Sequence, residues 1–176
     1  MKLEKGFIQV YTGNGKGKTT AAIGQAVRAA GFGLKTYIAQ FMKEFPYNEL
    51  KSLRQLNKLI TVEQFAGDDF VYKKELPPVE EIKKAEAGFN SAKEKMLRGK
   101  FDIIILDEVL VSIYFKLITT EQVLEFISNK PQQVELILTG RYCPSEIIEK
   151  ADLVTEMTEI KHYYQQGVLS RRGIES

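Results

Sequence analysis

Short apolar runs alternate with amphipathic stretches along most of the chain, and that alternation predicts its elements. Residues 6–11 read as a first strand, and 19–30 as a helix that Gly31 and Gly33 bring to a stop. Thr36–Phe41 reads as a second, largely buried strand. A polar loop with Pro46 and a helical patch at 49–56 lead to a third strand, Ile60–Phe65. Residues 67–78 hold Asp68, Asp69 and the pair Pro77-Pro78, which reads as an ordered loop with an abrupt end. From 79 to 98 the apolar positions Ile82, Ala85, Phe89, Ala92 and Met96 return every three or four residues, so this helix has one apolar face and an outer face of lysine and glutamate. Residues 101–106, apolar but for Asp102 and holding three consecutive isoleucines, carry the mark of a strand covered on both faces. Helices at 109–117, 120–127 and 144–150 and strands at 134–138 and 153–157 complete the pattern, and the tail from Lys161 is mixed and punctuated by glycine.

Strands separated by helices imply a parallel sheet with helices on both faces, and such sheets bind ligands beyond the carboxyl ends of their strands. A chain of 176 residues without repeats or linkers fits one domain, residues 1–176. Its formal net charge of +2 is too small to argue for nucleic acid or an anionic membrane as partner. The lone Cys143 excludes an intrachain disulfide and a cysteine-based zinc site. The first residues lack an apolar signal core and no segment reaches membrane-spanning length, so a cytoplasmic location is expected.

The first strand runs into Thr12-Gly13-Asn14-Gly15-Lys16-Gly17-Lys18-Thr19-Thr20, and a helix leaves it. Strand, glycine-rich loop, Gly-Lys-Thr and helix are the parts of a P-loop. Glycines let successive N–H groups converge on phosphate oxygens, and the helix start adds unpaired donors. Lys18 supplies a point charge between phosphates, and the Thr19 hydroxyl suits Mg²⁺. The usual G-x-x-x-x-G-K-[ST] spacing would place its first glycine at position 12, where this chain has Thr12 and the glycine follows at Gly13. The loop is therefore a variant. The expected fold class is α/β: a P-loop NTPase-like (RecA-like), mostly parallel sheet with helices on both faces.

A second anchor is the apolar strand ending in Asp107-Glu108, a Walker B arrangement that brings a carboxylate to the metal at the same sheet edge. Carboxylates also cap strand-to-helix junctions, and spacing does not decide which of the two meets a metal. Thr139-Gly140-Arg141 repeats the theme, with Arg141 either neutralising phosphate or standing on the surface. Arg28, in the helix after the loop, reaches a nucleotide or pairs with a surface acid. The only histidine, in Lys161-His162, is by itself more often inert than catalytic. Cys143 reads as a packing residue. Phe70 and Tyr72 either plug the core or lie over a flat ligand.

Taken in order, Val10 to Ala22, Gln40-Phe41-Met42-Lys43, Leu106-Asp107-Glu108, Thr139-Gly140-Arg141, Ala151 to Met157, Lys161-His162 and Gly173-Ile174-Glu175 make the chain resemble the ATP:corrinoid adenosyltransferases over nearly its whole length. The shifted glycine is that family's own form of the loop. The resemblance implies transfer of the 5′-deoxyadenosyl group of ATP to Co(I) of cobalamin or a precursor, with triphosphate leaving. It implies that Gly13, Asn14, Gly15, Lys16, Gly17, Lys18, Thr19 and Thr20 hold the triphosphate, with Arg28 and Arg141 also at ATP. It further implies that Thr19 and Glu108 serve Mg²⁺, that Lys18 and Glu108 carry catalysis, and that Phe70 and Tyr72 lie by the corrinoid. Apolar rings that displace the lower ligand of Co(II) would ease its reduction. The implied partners are ATP, the corrinoid, an electron donor such as a flavodoxin or flavin reductase, and a second copy in a homodimer.

The chain departs from the family pattern at Asp68-Asp69, at Lys43-Glu44 and at Val109-Leu110-Val111-Ser112. A P-loop phosphotransferase or ATPase that cleaves the terminal phosphate, and a nucleotide-gated regulatory module, are the alternatives. Product analysis separates the first, and an exposed apolar partner surface would mark the second.

Overall fold

The computed structural model describes residues 3–43, 47–65 and 76–175. Its strands are β1 (Ile8–Thr12), β2 (Thr36–Phe41), β3 (Ile60–Phe65), β4 (Ile103–Asp107), β5 (Glu135–Thr139) and β6 (Leu153–Glu156). Its helices are α1 (Lys18–Phe32), α2 (Asn48–Leu53), α3 (Val79–Leu97), α4 (Val109–Tyr114), α5 (Thr120–Ser128) and α6 (Ser145–Lys150). The six strands form one sheet in the order β3-β2-β4-β5-β1-β6, and every pairing is parallel. The expected α/β architecture is present, and among the described strands the sheet is wholly rather than mostly parallel.

The period-two geometry of a strand explains the unbroken apolar runs. In β4, Ile104 and Leu106 enter the cluster that holds Phe89, Met96, Leu110, Phe126 and Ile147 from α3 to α6. Ile103 and Ile105 point the other way, into a cluster with Ala22, Ala26 and Ala29 of α1 and Leu53 of α2. Each of these isoleucine, leucine, phenylalanine and methionine side chains, once fully buried, contributes about 1.5–3 kcal/mol, and each alanine methyl less. The alanines give α1 a narrow buried face, which suits the helix that must present its start at the sheet edge. Gly31 stays inside α1, and Gly33, at φ 92°, makes the left-handed turn that ends it.

The order of strands positions the site. β5 lies between β1, which carries the P-loop, and β4, which carries Asp107. The carboxyl ends of β1, β2, β4 and β5 therefore open on one edge. β6 is an edge strand whose four residues are all exposed. Beyond it Met157 pins the P-loop: its N–H donates to Thr12 O at 2.8 Å, and its carbonyl accepts from Gly15 N at 2.6 Å. Among the described residues no helix is long and apolar enough to cross a membrane.

Candidate active site

The misfit at Thr12 has a structural reason. β1 runs one residue further than the glycine spacing implies, with Thr12 paired to Glu156 and buried. The turn then falls on Gly13, at φ 96°, a conformation that side chains with a Cβ rarely adopt. A Cβ on Gly15 would come within 2.7 Å of the Met157 carbonyl, so the loop and the strand end fit only with glycine there. Gly17 caps α1 without a side-chain bond, and the first helical bond runs from Ala21 N to Gly17 O. The N–H groups of Lys18, Thr19 and Thr20 thus lack helical acceptors, which makes the helix start an anion site.

A cavity of about 630 Å³ opens here, a size that suits a small-molecule ligand. Asn14 to Thr20, Lys43, Glu108 and Arg141 line it, together with residues 47–49 and, from the far end of the chain, His162 and Gly173 to Glu175. Lys18 is buried, and its ammonium donates to Gly15 O at 2.7 Å, inside the loop. Burial lowers its pKa; Glu108 and Asp107 oppose that shift and Arg141 adds to it.

Asp107 is the hub. Its Oδ1 accepts from Thr19 Oγ1 at 2.9 Å and from Thr139 Oγ1 at 2.7 Å. Its Oδ2 accepts from Lys43 Nζ at 2.7 Å and Gln40 Nε2 at 3.2 Å. Lys43 Nζ also donates to Thr19 Oγ1 at 3.0 Å. Burial works against the Lys43 charge, but Asp107 and then Glu108 outweigh it and hold its pKa above the ordinary lysine value.

Glu108 follows in the left-handed region at φ 63°, and its N–H donates to Thr139 Oγ1 at 2.9 Å. That turn sends the two neighbouring carboxylates to different places: Asp107 into the hydroxyl and ammonium cluster, Glu108 onto the cavity wall. Burial, then the charge of Asp107, pushes the Glu108 carboxyl above its usual range against Lys43, Lys18 and Arg141. A carboxyl whose folded pKa is raised stabilises the fold only while protonated, and that contribution is lost as pH rises through the folded value. At pH 7 in a chelator-containing buffer, Glu108→Gln is therefore expected to raise the unfolding temperature by a few degrees. A fall in calorimetry would show that the surrounding cations outweigh the desolvation.

The sequence-predicted residues divide in space. Asn14 to Thr20, Glu108 and Arg141 share the cavity, with Gly13 at the root of the loop. Arg28 is exposed on α1 and does not line the cavity, since roughly 15 Å of helix rise separates it from Lys18. Phe70 and Tyr72 lie outside the described residues. Cys143 packs against the core, and burial pushes its thiol up to about 11, which fits a packing role. Gln40, Lys43 and Thr139 belong to motifs quoted above but had no role assigned, and their part emerges only with the pairing of β2, β4 and β5.

The donor set can be tested against Mg²⁺. The Thr19 hydroxyl and the Asp107 carboxylate, with Glu108 beside them, are hard oxygen donors, and a protein cation, the Lys43 ammonium, already rests against the first two. Among the described residues no group of three or more His, Cys, Asp or Glu forms a cage of its own. Mg²⁺ held through one or two carboxylates, substrate phosphates and water needs none. The residues fit.

Fold and site together define a P-loop nucleotide-binding protein. The sequence model of the family described as ATP:corrinoid adenosyltransferase BtuR/CobO/CobP matches residues 4–176, and the chain belongs to that family. It is 33% identical over 175 residues to the corrinoid adenosyltransferase of Escherichia coli (strain K12), covering 98% of this chain and 86% of the relative. Identity to the corrinoid adenosyltransferase CobA of Salmonella typhimurium is 33% over 174 residues, covering 98% and 86%. To the corrinoid adenosyltransferase of Pseudomonas aeruginosa it is 30% over 173 residues, covering 98% and 84%.

Proposed function

We propose that this protein is a transferase that moves the 5′-deoxyadenosyl group of ATP to the Co(I) centre of a corrinoid, cobalamin or one of its precursors. The Co(I) electron pair forms the Co–C5′ bond, and the C5′–O bond breaks with its pair leaving on triphosphate. The nucleophile belongs to the substrate, so the chain's task is alignment and stabilisation of the leaving group. The observation that carries this reading, beside family membership, is the convergence of Lys18, Lys43 and Arg141 on one cavity floored by P-loop N–H groups. Glu49, Glu108 and Glu175 share the lining, so a polyanion is expected at the P-loop end of the cavity, where the N–H groups and Lys18 lie.

In this reading Gly13 to Thr20 hold the triphosphate, with Lys18 between phosphates and Arg141 at the outer side. Arg28 serves the nucleoside only if the bound ATP extends along α1. Thr19, Asp107 and Glu108 hold Mg²⁺, which when bound neutralises charge on the departing triphosphate. Asp107 joins the expected pair because its carboxylate, rather than that of Glu108, bonds the Thr19 hydroxyl. Phe70 and Tyr72 belong to the corrinoid side, and a flavodoxin or flavin reductase supplies the electron for Co(I). A single nucleotide-binding domain, a homodimer and a cytoplasmic location complete the proposal.

Incubation with Mg-ATP and chemically reduced cobalamin is expected to yield a light-sensitive Co–C product and inorganic triphosphate. Release of ADP and phosphate instead would assign the site to terminal phosphoryl transfer.

A further inference from the structure

Two stretches near the end of the chain, Lys161-His162 and Gly173-Ile174-Glu175, carry no chemistry in the reading above. The fold brings both to the P-loop. His162 Nδ1 accepts from Tyr164 N at 3.0 Å and caps a 3-10 turn, Tyr163–Gln166. The cap fixes Tyr163, whose hydroxyl donates to Glu175 Oε1. Arg171 reaches the same carboxylate through its backbone N at 2.8 Å, Nε at 3.3 Å and Nη2 at 3.1 Å, while its guanidinium lies 4.7 Å from the Tyr163 ring centre. Gly173, at φ 80°, makes the reversal that folds Glu175 back towards Arg171.

The remaining partner comes from the other end of the chain. Lys16 Nζ donates to Glu175 Oε1 at 3.1 Å and to Ile174 O at 2.9 Å. Lys16 stands between Gly15, which Met157 pins, and Gly17, at φ 123°, so a tether on its ammonium holds the middle of the loop against its left-handed joint. The Glu175 side chain is 16% exposed, against 43% for Lys16 and 51% for Arg171, so the acid is the covered centre of the cluster. Arg171 and then Tyr163 hold its carboxyl well below the usual range, and it keeps its charge throughout the physiological range. His162, Gly173, Ile174 and Glu175 line the same cavity as the loop.

We propose that Glu175 is a positioning residue for nucleotide binding: by clasping Lys16 it sets the P-loop's shape and closes the C-terminal turn onto the cavity as a wall against the triphosphate. The proposal rests on the nucleotide site argued above. His162 acts at one remove, through Tyr163, as a cap rather than a proton carrier.

The test is direct binding of Mg-ATP by calorimetry, with steady-state kinetics on wild type, Glu175→Gln, Tyr163→Phe, Lys16→Ala and the Lys16→Ala/Glu175→Gln pair. Glu175→Gln is expected to bind nucleotide about tenfold more weakly, the scale of one charge-assisted hydrogen bond. The loss falls on KM for ATP rather than on kcat, with KM for the corrinoid unmoved. Tyr163→Phe shows a smaller loss of the same kind. Because Glu175 acts through Lys16, the double variant is no worse than Lys16→Ala alone. If Glu175→Gln does not fold, Tyr163→Phe decides. Wild-type affinity in the folded variants, a loss confined to kcat, or additive losses in the double variant would each overturn the clasp and leave the nucleotide site standing. Failure of wild type to bind Mg-ATP would overturn both.

Discussion

Lys18→Ala should leave a folded protein whose adenosyl transfer is on the order of 10²–10³-fold slower, the loss that follows removal of one preorganised donor to developing charge. The stability half of this expectation comes from burial. The Lys18 ammonium is buried against Gly15 O, and desolvation holds its pKa below the ordinary lysine value. For a base with a lowered folded pKa the charged form is the destabilising one, so its cost is present at neutral pH. That cost is relieved as pH climbs from the lowered value to the unfolded one. Removing the charge is therefore expected to hold or slightly raise the unfolding temperature at pH 7 and to flatten the alkaline limb of the stability profile. Calorimetry across pH 7–10, run beside the product assay, reads both effects. Unfolding together with loss of activity would make Lys18 a structural residue.

How much of this was legible beforehand depends on how local each signal is. Buried strands announce themselves as apolar runs and the P-loop is contiguous, so the fold class could be read from the alternation along residues 6–157 and the anion cradle from residues 12–20. The shifted glycine, already the family's own form of the loop, takes its physical reason from the pairing of Thr12 with Glu156, which carries β1 one residue further. Lys43 was different. Its meaning depends on β2 lying next to β4 with Gln40 opposite Asp107, a register that no local pattern encodes. The same holds for Thr139, which bonds both Asp107 and Glu108 only because β5 is the next strand over. The tail was least legible: its sequence is polar and glycine-broken, and the contact that gives it a purpose joins Lys16 to Glu175, 159 positions apart. Arg28 shows the converse. A helix after a P-loop invites the reading that its arginine meets the nucleotide; helical rise sets the residue beyond the cavity lining, within electrostatic reach of Tyr11, so its part at the nucleotide stays a proposal.

Asp107→Ala should be the most damaging single change to stability. The substitution removes the acceptor of two hydroxyls, an amide and an ammonium in one step. The Lys43 and Asp107 side chains are only 12% and 2% exposed, so the stranded ammonium has little water to turn to. Breaking a buried pair from one side costs about 3–5 kcal/mol. For a chain of this length that lowers the unfolding temperature by roughly 10 °C. Replacing both charges is far cheaper than replacing one, so Asp107→Ala/Lys43→Met is expected to recover most of the lost stability while remaining inactive. The double variant thereby separates two duties of the same carboxylate. It neutralises Lys43 in the fold and, in the proposed reaction, would hold the Thr19 hydroxyl for Mg²⁺. If thermal unfolding finds the double variant as unstable as Asp107→Ala, the ion pair is not the source of the loss. The Thr19 and Thr139 hydroxyls, left without their shared acceptor, would then account for it.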